Sequence, residues 1–327
     1  MPSISSFMNP RNVLAASATF LLSVAPAFGQ ASSPTPEKGY TLSVFTTGVA
    51  GQYTAPDSIA VFKDHVYIGY GNGNDPTGAD GKSNMIIEYN RSGQKVYSFT
   101  VKGHNDGLKL NPYTQKLWVL QNEDANPSLV VFDPETRQQQ VYPFAAPPAA
   151  GGGYDDIAFH NGKVYLSASN PTPNPNNEPA IVEAKLVNGQ VVVRPVLAGN
   201  ANATDILTGQ IVTLNLQDPD STTTTPGGAL LLDSQGDSEL VLVRDPSSAQ
   251  QSVLQIPLSS PYGQPQADDT IFTPQSDGFI LVSDTPANIV YKTPRRSLLR
   301  APLTQPRLQV TVQLRDSLAV SISNSAS

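Results

Sequence analysis

Residues 56–62 read Pro56-Asp57-Ser58-Ile59-Ala60-Val61-Phe62, and after a short turn residues 65–70 read His65-Val66-Tyr67-Ile68-Gly69-Tyr70. An acid opens a short apolar strand, a tight turn follows, and a second apolar strand runs back. The same arrangement recurs at Asn105-Asp106-Gly107-Leu108-Lys109-Leu110, at Asp155-Asp156-Ile157-Ala158-Phe159, at Pro219-Asp220-Ser221-Thr222 and at Asp268-Asp269-Thr270-Ile271-Phe272. Taking Asp57, Asp106, Asp155, Asp220 and Asp268 as anchors, the steps are 49, 49, 65 and 48 residues. A period of roughly 40–50 residues with four short strands per period defines the blades of a β-propeller.

The second half of each period supports this reading. Residues 84–89 and 95–101 flank Asn90-Arg91-Ser92-Gly93, residues 128–132 and 140–144 flank Asp133-Pro134-Glu135-Thr136, and residues 180–186 and 191–196 flank Asn188-Gly189. Residues 239–243 and 252–258 flank Asp245-Pro246-Ser247-Ser248. Asn, Asp, Pro and Gly at these points supply the backbone angles of tight hairpins. Residues 40–49 alternate apolar and polar side chains ahead of the first anchor, where a strand that closes the last blade belongs, because an open ring leaves exposed sheet edges.

Composition agrees with many short strands joined by turns. The 327-residue chain has 39% hydrophobic and only 14% charged residues, with 29 Pro and 24 Gly. A net charge of −7 and the lack of a basic patch exclude a nucleic-acid partner. With no cysteine, disulfide and thiol chemistry are excluded too. Arg11, the apolar run 13–24 (VLAASATFLLSV) and the small residues near 25–29 have the form of a secretory signal, cut near Gln30. The apolar run is too short for a membrane span. The expected organisation is a signal peptide over 1–29, a flexible leader over 30–39, the propeller over 40–293 and an atypical Arg-rich tail over 294–327. The expected location is secreted or periplasmic.

Two stretches break the period. Residues 199–216 lengthen the third step and read as an added hairpin. After residues 288–293, a good third strand for the fifth repeat, the tail carries Arg295, Arg296, Arg300, Arg307 and Arg315, yet residues 308–314 (LQVTVQL) and 318–323 (LAVSIS) have strand character. Five repeats plus this remainder predict an all-β, six-bladed ring with a divergent or incomplete last blade. A five-bladed ring is the alternative.

Short turns join strands one to two and three to four, so the longer connections fall together on the opposite face with the acids. These are residues 71–82 (GNGNDPTGADGK), 122–127 (NEDANP) and 170–179 (NPTPNPNNEP). Long loops on a rigid frame are where binding sites sit. The segment His104-Asn105-Asp106-Gly107-Leu108-Lys109-Leu110-Asn111-Pro112 resembles the Asn-Asp-Gly strand opening of the six-bladed gluconolactonase and senescence-marker lactonases. Asp233 and Asp284, which end their second strands, resemble the NHL-type repeats. The lactonase resemblance implies a divalent metal in the channel held by Glu, Asn and Asp, with Asn105 and Asp106 at the substrate and Asp155, Asp220 or Asp268 as the Asp ligand. The family's Glu-bearing N-terminal segment and its Ser-Asn-Gly opening have no counterpart here.

The residues themselves leave two roles open for Asp57, Asp106, Asp155, Asp220 and Asp268. Converging carboxylates raise one another's pKa or hold a cation, Ca2+ being the natural one. Alternatively, an acid at a strand start fixes its own turn by accepting N–H bonds. His104, beside Asn105 and Asp106, is the candidate general base. The leading functional expectation is a binding or scaffold module that takes a small molecule or protein at the Asp-bearing face. A metal-dependent lactonase-like hydrolase is the alternative.

Overall fold

The computed structural model describes residues 41–259, 264–272, 278–294, 309–314 and 320–323, and every regular element among them is a β-strand. The expected signal peptide and leader lie outside the described residues, as do the five arginines of the tail. β1 (Ser43–Thr47) comes first. Blade 1 is β2 (Pro56–Phe62), β3 (His65–Tyr70), β4 (Ser83–Asn90) and β5 (Lys95–Lys102). Blade 2 is β6 (Asn105–Leu110), β7 (Leu117–Gln121), β8 (Ser128–Phe132) and β9 (Gln139–Pro143). Blade 3 is β10 (Ile157–His160), β11 (Lys163–Ser167), β12 (Pro179–Val187) and β13 (Gln190–Ala198). Each is an antiparallel four-stranded sheet in sequence order.

The insertion after blade 3 forms the hairpin β14 (Asn202–Asp205) and β15 (Ile211–Thr213). Blade 4 is β16 (Pro219–Thr224), β17 (Leu230–Ser234), β18 (Glu239–Arg244) and β19 (Ser252–Pro257), and β14 joins its outer edge parallel to β19. The fifth repeat supplies β20 (Ala267–Ile271), β21 (Phe279–Asp284) and β22 (Ile289–Pro294). β1 pairs with β22, Ser43 opposite Lys292 and Thr47 opposite Ile289, so the N-terminal strand closes the last blade as its position in the sequence requires.

Among the described residues the arrangement is that of five blades, the alternative read from the sequence, in place of the expected six. The tail segments do fold as β23 (Gln309–Leu314) and β24 (Val320–Ser323), but β23 pairs with β20, Ala267 opposite Leu314 and Thr270 opposite Val312. The physical reason is the missing anchor. This stretch has no Asp-initiated copy of the repeat, and its alternating pattern lets β23 take the place beside β20, so that β20, β23 and β24 form one three-stranded sheet and β1, β22 and β21 another.

Aromatic and aliphatic side chains from successive blades interlock to hold the ring. Phe99 of blade 1 stacks on Phe132 of blade 2 at 3.9 Å between centroids. Trp118 of blade 2 meets Phe159 of blade 3 edge-on at 5.5 Å. Phe45 of β1 packs with Tyr53, Ile68, Tyr70 and Tyr89 to seal the closure. Trp118 and the second-strand tyrosines Tyr67, Tyr70 and Tyr165 are buried core. Such rings each remove a large apolar area from water and dominate packing energy.

Blades 2 and 3 come close at Gly107, where a Cβ would lie 2.3 Å from the Asp155 carbonyl oxygen. The third residue of the Asn-Asp-Gly opening is therefore glycine because no side chain fits between the blades. Gly107→Ala is expected to cost about 1–3 kcal/mol through overpacking, read as a lower midpoint in urea unfolding with an unchanged slope. An unchanged midpoint would mean that the blades can part without strain.

Candidate functional site

Four of the five anchor strands carry the same defect. Pairing between first and second strands slips between Pro56 and Ile59, Asn105 and Leu108, and Pro219 and Thr222, and the pairing of β20 with the tail strand β23 slips in the same way between Ala267 and Thr270. Each slip spans an anchor acid and the residue after it. In blade 3, Asp155 and Asp156 simply precede β10. A β-bulge frees two residues from the ladder and re-aims their side chains. Asp57, Asp106, Asp155, Asp220 and Asp268, one per blade, thereby line a single cavity of about 20 Å3. That is room for one water-sized group.

Asp57 accepts from its neighbour Ser58 Oγ at 3.4 Å, while Asp106 and Asp155 meet acids of other blades. Burial and the neighbouring Asp155 and Asp57 push the Asp106 carboxyl well above the usual carboxylate range, and it donates its proton to Asp57. Burial and Asp220 do the same to Asp155, which donates to Asp220. Two acids that cannot both ionise at close range share a proton instead. Gln235 Nε2 donates to Asp268 Oδ1 at 2.8 Å.

One step along the strands the cavity is lined by Ser58, Gly107, Asp156, Ser221 and Asp269, and by a lysine. Lys109 Nζ stands 3.0 Å from Asp156 Oδ2 and 3.7 Å from Asp269 Oδ1, joining blades 2, 3 and 5. Burial alone favours loss of its proton, but Asp156 and Asp269 outweigh that and hold the ammonium above the usual lysine value. Ser221 Oγ donates to Asp269 at 2.7 Å, and the Thr222 N–H donates to Asp156 at 3.1 Å. Farther from the axis, Thr270 Oγ1 donates to Asp233 at 2.8 Å, tying blade 5 to blade 4.

His104 and Asn105 do not line the cavity. Asn105 is fully buried, and its Nδ2 donates to the Leu120 carbonyl at 3.0 Å. His104 Nδ1 meets Glu123 Oε1 at 2.9 Å. Burial favours the neutral ring, but Glu123, Asp57 and Asp124 together raise its pKa above the usual value. The shift favours a proton donor rather than the base expected from the sequence. His65 pairs with Glu88 at 2.7 Å and His160 with Asn161 at 2.8 Å, both away from the acids. In the 71–82 loop, Asp75 accepts from Thr77 and Asp80 from Asp75 and Lys82, so these acids are spent on the loop itself.

Among the described residues no three His, Asp or Glu side chains converge at metal-ligand distances, and the Asn105 amide is turned into the sheet. Sequence reasoning missed Lys109, Asp156, Asp269, Gln235 and Glu123. A signal existed for three of them: the Asp155-Asp156 and Asp268-Asp269 doublets, and the single basic residue in Gly107-Leu108-Lys109-Leu110.

Fold and site thus define a five-bladed β-propeller with an acid-lined axis. No family model and no curated protein sequence matches the chain. Among solved structures it is similar to a streptogramin B lyase at 14% identity, covering 87% of this chain and 98% of that one with a TM-score of 0.46. It is also similar to an inactive variant of virginiamycin B lyase from Staphylococcus aureus with quinupristin, at 12% identity over 78% and 99% of the two chains with a TM-score of 0.39. A protein provisionally assigned as a gluconolactonase matches at 10% identity over 89% and 96%, with a TM-score of 0.45. At these values the likeness carries no argument about activity.

The raised carboxyls make stability depend on pH. Asp106, Asp155, Asp220 and Asp233 all bind protons more tightly folded than unfolded. Their contribution is complete below the unfolded carboxylate pKa and is lost as pH rises through the raised folded values. The melting temperature is therefore expected to be higher at pH 5 than at pH 8. Asp106→Asn, which keeps a donor for Asp57, is expected to raise it at pH 8 by about 2–4 °C, on the order of 1 kcal/mol, and to flatten the pH dependence. A lower melting temperature in this variant would contradict the shared proton. Lys109→Met strands the buried Asp156 and is expected to cost about 3 kcal/mol by chemical unfolding.

Proposed function

We propose that the protein is a binding module whose Asp-bearing face takes a cationic ligand. One observation carries this reading: the cavity on the axis is lined by seven carboxylates, Asp57, Asp106, Asp155, Asp156, Asp220, Asp268 and Asp269, against one ammonium, Lys109. Lys109 engages Asp156 and Asp269, which leaves the first acid of each blade facing a surplus of negative charge. Low-dielectric walls focus such a field at the mouth of a cleft and raise the local concentration of cations. A cation binding there relieves the repulsion that now holds protons on Asp106 and Asp155.

The test is thermal denaturation at pH 8 and low salt with Ca2+, Mg2+, Mn2+ and small alkylamines, each against a matched sodium control. At least one of them is expected to raise the melting temperature, by about 2.7 kcal/mol of added stability at one hundred times its dissociation constant. The gain should disappear in the Asp106→Asn/Asp220→Asn double variant. If no cation stabilises the wild type beyond sodium, the reading fails.

A second reading, hydrolysis of a lactone or ester, is favoured by the His104–Glu123 pair just before Asp106. A protonated imidazole held by a carboxylate is suited to give a proton to a departing oxygen. A lactone panel assayed with and without Ca2+, Mn2+ or Zn2+ separates the readings: turnover lost in His104→Gln supports the hydrolase, and no turnover leaves the binding module.

A further inference from the structure

We propose that the hairpin inserted between blades 3 and 4 is a self-association edge, at which β15 pairs antiparallel with β15 of a second copy of this chain about a twofold axis at Val212. The inference is independent of the cation reading above.

The backbone decides which groups are on offer. β15 pairs on one side only, with β14, Asn202 opposite Thr213, Ala203 opposite Val212 and Thr204 opposite Ile211. The Asp205 N–H donates to the Gln210 carbonyl and the Leu214 N–H to the Ala201 carbonyl, both at 2.9 Å. Antiparallel ladders alternate. Gln210, Val212 and Leu214 therefore turn their backbone groups toward β14, and Ile211 and Thr213 turn theirs outward. Among the described residues nothing pairs with those outward N–H and C=O groups. The edge is also held firmly. Ala203, Leu214 and Leu216 are buried in the core shared by blades 3 and 4, with Val212 packed against it. Little ordering is left to be done on association.

Other outer edges of the ring are guarded. An open edge invites pairing, and charged side chains, Pro and bulges discourage it. The outermost strand of blade 1, β5, carries Lys95 and Lys102. That of blade 2, β9, ends at Pro143, and that of blade 3, β13, holds Arg194 and Pro195 and bulges against β12. The closing strand β1 slips between Val44 and Thr46. In blade 4 the insertion covers β19 and presents Ile211-Val212-Thr213 in its place, with no charge, Pro or bulge. Ile211 is 68% exposed there, and Leu207 at the hairpin turn is 73% exposed.

Charge and symmetry select the occupant. The chain carries a net charge of −7, so two copies repel one another over most approaches. Residues 199–216 hold a single charged side chain, Asp205, whose Oδ1 accepts from the Leu207 and Thr208 N–H groups. Two copies meet at this edge without like charges facing each other. Centring the pair on Val212 sets Ile211 against the partner's Thr213 and Thr213 against the partner's Ile211. Both residues belong to the outward set, so this one register pairs the outward groups of Ile211 and Thr213 in both copies, as an isologous contact requires.

The experiment is sedimentation equilibrium on the full chain from low to high micromolar concentration, where a dimer that dissociates on dilution is expected. Thr213→Pro removes an outward N–H from each copy at an edge position that tolerates Pro. It is expected to weaken dimerisation by about tenfold or more, with an unchanged melting temperature in dilute solution. Val96→Lys replaces an exposed apolar side chain on the guarded strand β5 and is expected to leave the dimer intact. The chain has no cysteine, so single Cys variants read the register even where Thr213→Pro fails to fold. Under a mild oxidant, Val212→Cys on the twofold axis is expected to form a covalent dimer, and Leu207→Cys at the turn to remain largely uncoupled. A chain that stays monomeric at every concentration overturns the inference. So does a dimer indifferent to Thr213→Pro, or one that couples equally well through Leu207→Cys.

Discussion

Five carboxylates aimed at one axis repel one another, and the middle of this molecule is arranged around that repulsion. Placing charges together in a water-poor channel costs far more than at the surface. The protein relieves it in two ways. At the mouth, Asp106 and Asp155 keep protons that they lend to Asp57 and Asp220. One residue further along the strands, Lys109 supplies the countercharge for Asp156 and Asp269.

The two solutions differ in what they leave available. The Lys109 network is internally satisfied, with Ser221 and the Thr222 backbone completing the bonds of the acids, and it braces blades 2, 3, 4 and 5 against one another. Among the five first acids, Asp268 accepts from Gln235 and Asp57 from Ser58, while Asp106 and Asp155 stand against other acids and hold protons. His104 and Glu123, just outside the cavity, add a further charge behind the same acids.

The geometry comes from a repeated backbone feature rather than from any one residue. A bulge at the acid in blades 1, 2, 4 and 5 removes two residues from the sheet ladder, and blade 3 reaches the same result by starting its strand after both acids. Gly107 then permits the tight approach of blades 2 and 3. Among the described residues the tail strands β23 and β24 join the acid-bearing strand β20 in one three-stranded sheet, while β21 and β22 pair with the N-terminal strand β1 in another.

The amino-acid sequence by itself determined the strands, the repeat and the face that bears the acids, because alternation, turn residues and spacing are local properties. The N-terminal closing strand and the inserted hairpin at 202–213 were legible for the same reason. Only the tertiary structure decided the number of blades, the pairing of Asp57 with Asp106 and of Asp155 with Asp220, the burial of Asn105 and the reach of Lys109 across the axis. Each of these depends on distances between residues dozens of positions apart. An acid reads identically in the chain whether it ends in water, in a turn or against another acid, and its proton affinity is set by whichever neighbour the fold brings to it.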